Sequence, residues 1–343
     1  MILALIKLVV LALLSLLVLG LVVGAVSAPG STGLLIIVTA PPLRGDVERI
    51  VERCGDAVIS LVPPGTDIHE YQLTSKDLEL LKSAHLVVST GHTSFELKIR
   101  NLVERGEVRA RLVDVLEIPG LKLSVNPATG QPNYHMPIKD PVNYLLFISN
   151  LTRTLAEINP ERAECYYSNY FRVLSEVYTS ILVHRGVYSG VAVVDTPHSQ
   201  YYVEWMGFRV AWILKYEEEV PVTVESLEKT RELLSSGVVR VVVVTEGFQG
   251  AIQLASEARE RGIPIITVPS PYSDTSVLDG IRLVVNQLAE LRALESSEAP
   301  STSSPRTITL QVVALVFVSG VMVGATLVEL HRRWISWRLK HYY

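Results

Sequence analysis

The sequence predicts an α/β protein of two lobes, each with a parallel sheet flanked by helices, joined by one long helix. Three observations support this prediction. Short apolar runs rich in valine and isoleucine alternate with helical patterns in two separate stretches of the chain. Strands that are apolar along their whole length are typical of parallel sheets covered on both faces. One long helical pattern, from Pro160 to His184, separates the two stretches.

The first lobe is predicted over residues 33–155. Its strands are the apolar runs at 34–38, 57–62, 86–89 and 111–115. Helical patterns fall between them at 46–54, 75–84 and 95–105. Thr74 is a natural N-cap for the second of these helices, because Asp77 follows three residues later in the first turn.

The connecting helix is predicted over residues 156–186, and its apolar residues recur at helical spacing along one face. Pro160 suits the first turn of a helix. The second lobe is predicted over residues 187–294, where the alternation of strands and helices returns. Its strands are the runs at 190–195, 209–214, 238–244 and 265–268, with helices at 223–236, 248–261 and 276–294.

Both ends of the chain are apolar, which predicts terminal helices and a body outside the cytoplasm. Residues 1–28 combine one lysine, an apolar run and a small-residue site, the pattern of a signal peptide. An uncleaved N-terminal anchor is the competing interpretation, because the run is nearly long enough to span a bilayer. Residues 307–330 predict a transmembrane helix, which a polar linker at 295–306 joins to the body. The basic tail at 331–343 predicts a cytoplasmic C-terminus and therefore a cell-membrane protein with an extracytoplasmic body.

Composition excludes several classes of function. The formal net charge is −4 and the body has no basic block, so no nucleic-acid partner is expected. No Gly-x-Gly-x-x-Gly, P-loop or Gly-x-Ser-x-Gly pattern is present, so the chain is not predicted to be an enzyme. Cys54 and Cys165 are in a compartment that permits a disulfide, but the sequence leaves their pairing open.

Candidate ligands lie on loops that follow strands, because open parallel sheets bind ligands beyond the carboxyl ends of their strands. Three histidines occupy such loops or the segment before the long helix: His69, His135 and His198. Imidazole suits zinc and other borderline divalent ions, and a carboxylate completes a four-ligand site. Glu246 and Asp274 follow later strands of the second lobe and are the candidate carboxylates. The alternative is that these histidines are ordinary solvated or capping residues.

Several segments resemble the zinc/manganese-type solute-binding proteins of ABC importers, the ZnuA/TroA-like family, which includes adhesin-type lipoproteins. The run from His69 to Asp77 is similar to the family's His-x-Tyr-x-Pro-Thr-x-x-Asp motif. Four further segments are similar to family motifs: Phe95-Glu96 to an apolar-Glu pair, 135–141 to His-x-Trp-x-Asp-Pro, 193–207 to His-x-Ala-Phe-x-Tyr, and 242–246 to a strand ending in Glu. The resemblance covers nearly the whole body and implies a TroA-like fold.

The resemblance also implies that four ligands hold one divalent ion in the cleft between the lobes. His69 and His135 match the two histidines that the family takes from its first lobe. Glu246 matches the acidic position that follows a strand of the second lobe.

The second lobe departs from the family pattern at two ligand positions. The third position falls on Thr196, and the last aspartate position falls near Pro269. The resemblance therefore implies either that these ligands have moved to His198 and Asp274, or that the site is altered.

The implied function is a solute-binding protein that captures Zn²⁺ or Mn²⁺ as its transported ligand and passes it to an ABC transporter permease. Three imidazoles with one carboxylate favour zinc, whereas more oxygen ligands would favour manganese. Such a site weakens as pH falls, because protonated histidine cannot bind a metal. The C-terminal helix would hold the body at the membrane in place of a lipid anchor. The alternative is a degenerate TroA-like surface receptor or sensor without a complete metal site.

Overall fold

Two four-stranded parallel sheets form the framework of the protein. The computed structural model describes residues 33–216 and 220–298. The first sheet has the order β2-β1-β3-β4, with β1 at Leu35–Val38, β2 at Ala57–Ser60, β3 at Leu86–Ser89 and β4 at Arg111–Asp114. The second has the order β6-β5-β7-β8, with β5 at Gly190–Val194, β6 at Phe208–Ile213, β7 at Val239–Thr245 and β8 at Ile265–Val268. The predicted pair of α/β lobes with parallel sheets is confirmed.

Helices of the first lobe alternate with its strands: α1 at Pro41–Val51, α2 at Ser75–Ser83 and α3 at Ser94–Glu104. The predicted N-cap at Thr74 is confirmed. The hydroxyl oxygen of Thr74 accepts the N–H of Asp77 at 3.3 Å, and the Asp77 carboxylate accepts the N–H of Thr74 at 2.8 Å. This reciprocal pair satisfies two N–H groups that a helix start leaves without intrahelical partners.

The connection between the sheets contains two main helices. Helix α4 spans Pro141–Ile158, and α5 spans Ala163–Glu176 after a short 3₁₀ turn. The helical path continues as π-helix over Val177–Ile181 and as 3₁₀-helix over Leu182–His184. The segment predicted as one helix from Pro160 to His184 is therefore helical but changes its winding near the end, and α4 precedes it.

Helices of the second lobe are α6 at Pro197–Glu204, α7 at Val224–Ser235, α8 at Gln249–Glu260 and α9 at Val277–Glu298. Both sheets lie within one compact unit that ends at Leu291. Among the described helices, none is long and apolar enough to cross a bilayer. The predicted segments at 1–28, 307–330 and 331–343 lie outside the described residues, while residues 295–298 of the predicted linker continue α9.

A disulfide joins Cys54, just after α1, to Cys165 in α5, with their Cα atoms 5.8 Å apart. The pairing that the sequence left open is therefore present in the structure. It ties the connecting helix covalently to the first lobe. Asn169, one turn further along α5, donates hydrogen bonds from Nδ2 to the carbonyl oxygens of Ile50 and Glu52, at 3.0 and 2.9 Å.

Asp46 of α1 joins the first lobe to the start of α9. Its carboxylate accepts the backbone N–H groups of Val277 and Leu278 at 2.8 and 3.2 Å. It also accepts the hydroxyl of Tyr144 at 2.9 Å. Burial raises the pKa of Asp46 to about 7, although these hydrogen bonds oppose the rise.

This carboxyl predicts a pH dependence of stability. Between the ordinary pKa of 3.8 and the folded value of about 7, the native state holds a proton that the unfolded state has released. The stability that this group contributes is therefore fully present below pH 3.8 and is lost as pH rises through about 7. Asp195, whose pKa burial raises to about 6, acts in the same direction.

We expect Asp46→Asn to flatten this dependence, because an amide does not titrate. At pH 5 the variant should also lose about 1–3 kcal/mol of unfolding free energy, since its amide would set an N–H against a backbone N–H at the start of α9. Urea denaturation at pH 4.5 and pH 7.5 measures both effects, with the exposed Glu48→Gln on the same helix as control. Equal pH slopes in wild type and Asp46→Asn would contradict the expectation.

Candidate metal centre

Three histidines of the first lobe gather at one point. Each of His69, His92 and His135 offers a ring nitrogen, and these nitrogens all lie within 4.8 Å of one another. Their ring centroids are 5.1 to 5.7 Å apart. Zinc–nitrogen bonds of about 2.0–2.1 Å hold two nitrogens of one ion no more than about 4 Å apart. A small adjustment of the rings therefore allows the three histidines, the histidine triad, to share one metal ion.

The sheet order brings the triad together. His69 follows β2 and His92 follows β3, and both strands flank β1. Parallel neighbours end at the same edge of a sheet, so their following loops meet there. Asp67 holds the first loop by accepting the N–H of His69 at 2.9 Å. His135 arrives from the segment that leads into α4.

The ring of His92 is oriented by Thr90 and Glu96. The Thr90 hydroxyl lies 2.6 Å from a carboxylate oxygen of Glu96 and 3.0 Å from Nδ1 of His92. Because a carboxylate only accepts, the hydroxyl donates to Glu96 and accepts from Nδ1–H of His92. This tautomer puts the lone pair of His92 on Nε2, the nitrogen that a bound metal ion would use.

Glu96 is a buried anion behind this ring. Burial alone would raise the pKa of Glu96, but nearby His92 and the hydrogen bonds from Thr39, Thr90 and Thr93 outweigh burial and lower it. A carboxylate behind a coordinating imidazole increases the basicity of the ligand nitrogen. The first lobe therefore brings together three candidate ligands and places a negative charge behind one of them.

The structure brings together two of the five predicted ligands, His69 and His135. His198 lies buried at the start of α6, where Thr196 and Thr245 place hydroxyl oxygens 3.2 and 3.3 Å from its ring nitrogens. Within the described part of the chain it is not a member of the histidine triad. Glu246 is exposed just after β7, and Asp274 is exposed in the loop before α9. Their roles as ligands stay predictions.

His92 is the triad member that is not among the five ligands predicted from the sequence. It lies in the loop between β3 and α3, where the carboxyl end of β3 places candidate ligands. A single histidine in a short loop is not enough to predict a ligand. Knowing that β3 lies beside β1 in the sheet would have placed His92 near His69.

The second-lobe position that resembles a family ligand, Thr196, belongs to a buried hydroxyl network. Its hydroxyl contacts Asp195, Ser199 and Thr245 at 3.1 to 3.3 Å. Pro269, the other such position, is buried at the end of β8. Neither side chain joins the triad in the part of the chain that the structure describes.

A cavity of about 610 Å³ lies between the lobes. Its lining comes from both lobes and includes Gly65, Asp67, Lys215, Glu246, Phe248 and Tyr272. The N–H of Gly65 donates to the carbonyl oxygen of Tyr272 at 2.7 Å, which closes one side. Because Asp67 also holds the loop of His69, the cavity and the triad are neighbours.

Two lobes with parallel sheets and a histidine triad at a carboxyl edge define a two-lobed solute-binding protein. The family model described as the periplasmic component A of the zinc-uptake complex, ZnuA, matches residues 36–290. The chain belongs to this family, whose members are extracytoplasmic metal-binding proteins and not enzymes.

Individual relatives are distant. The iron-binding protein YfeA of Yersinia pestis is 29% identical over 133 residues, and the match spans 39% of this chain and 42% of that protein. The solute-binding protein FpvC of Pseudomonas aeruginosa, solved with Mn²⁺, gives a TM-score of 0.59 at 17% identity and covers 76% of this chain and 100% of that one. The laminin-binding adhesin Lmb of Streptococcus agalactiae, solved as a mutant, gives 0.62 at 16% identity, covering 75% and 99%. These structures share the fold.

Proposed function

We propose that the protein captures a divalent transition metal ion, zinc in preference to manganese, and delivers it to an ABC transporter permease. The histidine triad is the observation that supports this function. Three imidazole nitrogens form a borderline donor set, which binds zinc more strongly than manganese. The name of the matching family refers to zinc, while the names of two relatives refer to iron and to Mn²⁺.

A fourth ligand is proposed to come from the second lobe. The candidates predicted from the sequence for this role are His198, Glu246 and Asp274. Glu246 is the best placed of them, because it is exposed at the carboxyl end of β7 and lines the cavity that also contains Asp67. A carboxylate would complete a four-ligand zinc site.

We also propose that the predicted C-terminal helix, residues 307–330, holds the body at the outer face of the membrane beside its permease. This arrangement would keep the receptor at a high local concentration near its partner. Protease protection of the C-terminal tail in sealed vesicles tests the predicted orientation.

The metal proposal is tested by calorimetric titration of the chelator-treated full-length chain with Zn²⁺ and Mn²⁺. We expect zinc to bind with a micromolar or lower Kd, and at least tenfold more tightly than manganese. His69→Ala should abolish the zinc signal, while His184→Ala, outside the triad, should leave it unchanged. Zinc binding weaker than micromolar in the wild type would contradict the proposal.

A second candidate is a surface receptor without a complete metal site. Thr196 and Pro269, at the two positions where the family carries ligands, favour this alternative. It predicts that neither metal changes the thermal melting temperature of the protein, whereas a metal bound only to the folded state raises it.

A further inference from the structure

We propose that Asn133 is a positioning residue that fixes the tautomer of His135 and links this ligand to the second lobe. The inference rests on the proposed metal site. Asn133 is 2% exposed and lies two residues before His135, in a segment that reaches from the first lobe to α6. Its side-chain amide contacts both the imidazole and the second lobe.

Two backbone partners fix the orientation of this amide. The carbonyl oxygen of Pro197 lies 2.7 Å from Nδ2, and because a carbonyl only accepts, that atom is the amide nitrogen. The backbone N–H of His135 lies 3.0 Å from Oδ1, and because an N–H only donates, that atom is the amide oxygen. Exchanging the two atoms would place like groups against each other at both ends.

The orientation of the amide then determines the tautomer of the imidazole. Nδ1 of His135 lies 3.1 Å from the same Oδ1. Facing an oxygen that only accepts, a neutral imidazole makes a hydrogen bond when its proton is on Nδ1. The lone pair is then on Nε2, which becomes the coordinating atom, as in the pair of Thr90 and His92. An outer-shell acceptor of this kind is worth 10- to 100-fold in metal affinity.

Three residues of the second lobe form hydrogen bonds with Asn133. Besides the carbonyl of Pro197, the side-chain oxygen of Gln200 accepts from Nδ2 at 2.9 Å. The hydroxyl of Tyr201 donates to the backbone carbonyl of Asn133 at 2.5 Å. All three partners lie on α6, so the position of this helix bears on a ligand of the first lobe. The second lobe thus contributes to metal affinity through the outer shell.

Asn126 provides a matched control in the same segment. It is 3% exposed, and its Nδ2 donates to a second-lobe carbonyl, that of Tyr216, at 2.8 Å. Its Oδ1 accepts a backbone N–H two residues later, that of Ala128, at 2.9 Å. Asn126 therefore repeats the burial and backbone contacts of Asn133 but makes no contact with an imidazole among the hydrogen bonds described.

The first test measures the tautomer of His135 in the absence of metal. Long-range ¹H–¹⁵N spectra of metal-free protein at pH 8 should show Nδ1–H for His135 in wild type and Asn126→Leu. In Asn133→Leu this preference should be lost. A wild-type His135 protonated mainly on Nε2 would overturn the proposal, whatever the protein binds.

The second test measures the zinc affinity of the full-length chain by competition with a chelator. We expect Asn133→Leu to bind zinc 10- to 100-fold more weakly. Asn126→Leu, which removes a comparably buried amide away from the imidazole, should match wild type. Equal losses in both leucine variants would assign the effect to packing between lobes and overturn the proposal, as would an unchanged affinity in Asn133→Leu.

These outcomes separate the inference from the proposed function. If the wild type binds no zinc, the proposed function fails, and the tautomer spectra still decide the role of Asn133. If the wild type binds zinc and His69→Ala does not, a wild-type affinity in Asn133→Leu defeats only the inference. Thermal melting of all variants identifies any that fail to fold, and Asn133→Ala, which also lacks the acceptor oxygen, then replaces Asn133→Leu in the tautomer test.

Discussion

His92→Ala is expected to weaken zinc binding by more than about 100-fold, beyond the range that outer-shell changes produce. The substitution removes one of three nitrogens that lie within 4.8 Å of one another. It also leaves the buried carboxylate of Glu96 without the imidazole beside it, which stands 4.0 Å away. The site would keep two histidines and lose the ring that links it to β3.

Competition with a zinc chelator at fixed pH measures this loss. Wild type, His92→Ala and His69→Ala are compared, with His184→Ala as the control histidine from the connecting segment. If His92→Ala binds as tightly as wild type while His69→Ala does not, the metal uses only the two histidines that the sequence predicts. A far-ultraviolet spectrum of each variant confirms that the fold is retained.

Removing the disulfide should lower the free energy of unfolding by about 5 kcal/mol. Cys54 and Cys165 are separated by 111 residues, and loop-closure entropy predicts this magnitude for a loop of that size. The bond limits the unfolded chain and also pins α5 to the end of α1. Both effects disappear in the double variant Cys54→Ser/Cys165→Ser.

Urea denaturation of the wild type with and without reductant, beside the double variant, provides the measurement. Reduced wild type and double variant should have similar midpoints, both well below that of the oxidised protein. Cys54 is 1% exposed, so a Cys54→Ala/Cys165→Ala pair separates the loss of the bond from the cost of a buried hydroxyl. A difference below about 1 kcal/mol between oxidised and reduced protein would contradict the entropic argument.

Most of the framework is predictable from the sequence, because its strands are largely apolar runs rich in β-branched residues. Val239–Thr245 and Leu86–Ser89, for example, are buried at nearly every position. Helix α4 was not predicted because its buried face includes polar residues. Asn143 donates to the carbonyl of Lys122 at 2.7 Å, and Thr152 donates to that of Ile148 at 2.7 Å. These hydrogen bonds allow the two polar side chains to be buried, and the sequence alone does not reveal the bonds.

The site residues are harder to predict from the sequence than the fold is. His69 and His135 are found through motifs, whereas His92 joins them only because β3 lies beside β1. Strand order is a long-range property that loop residues do not encode. The surroundings of His198, with hydroxyls of Thr196 and Thr245 within 3.4 Å, are likewise absent from sequence spacing.

The contacts around Asp46 have a mechanical consequence. Helix α9 follows the second lobe in sequence, yet its first residues are held by the first lobe through Asp46 and through Arg49, whose guanidinium lies 2.6 Å from Asp279. Arg282, one turn on, pairs with Glu176 of the connecting helix. A pulling force on α9 would therefore load the first lobe, the second lobe and the connecting helix in parallel. Shared loading of this kind resists the separation of one lobe from the other.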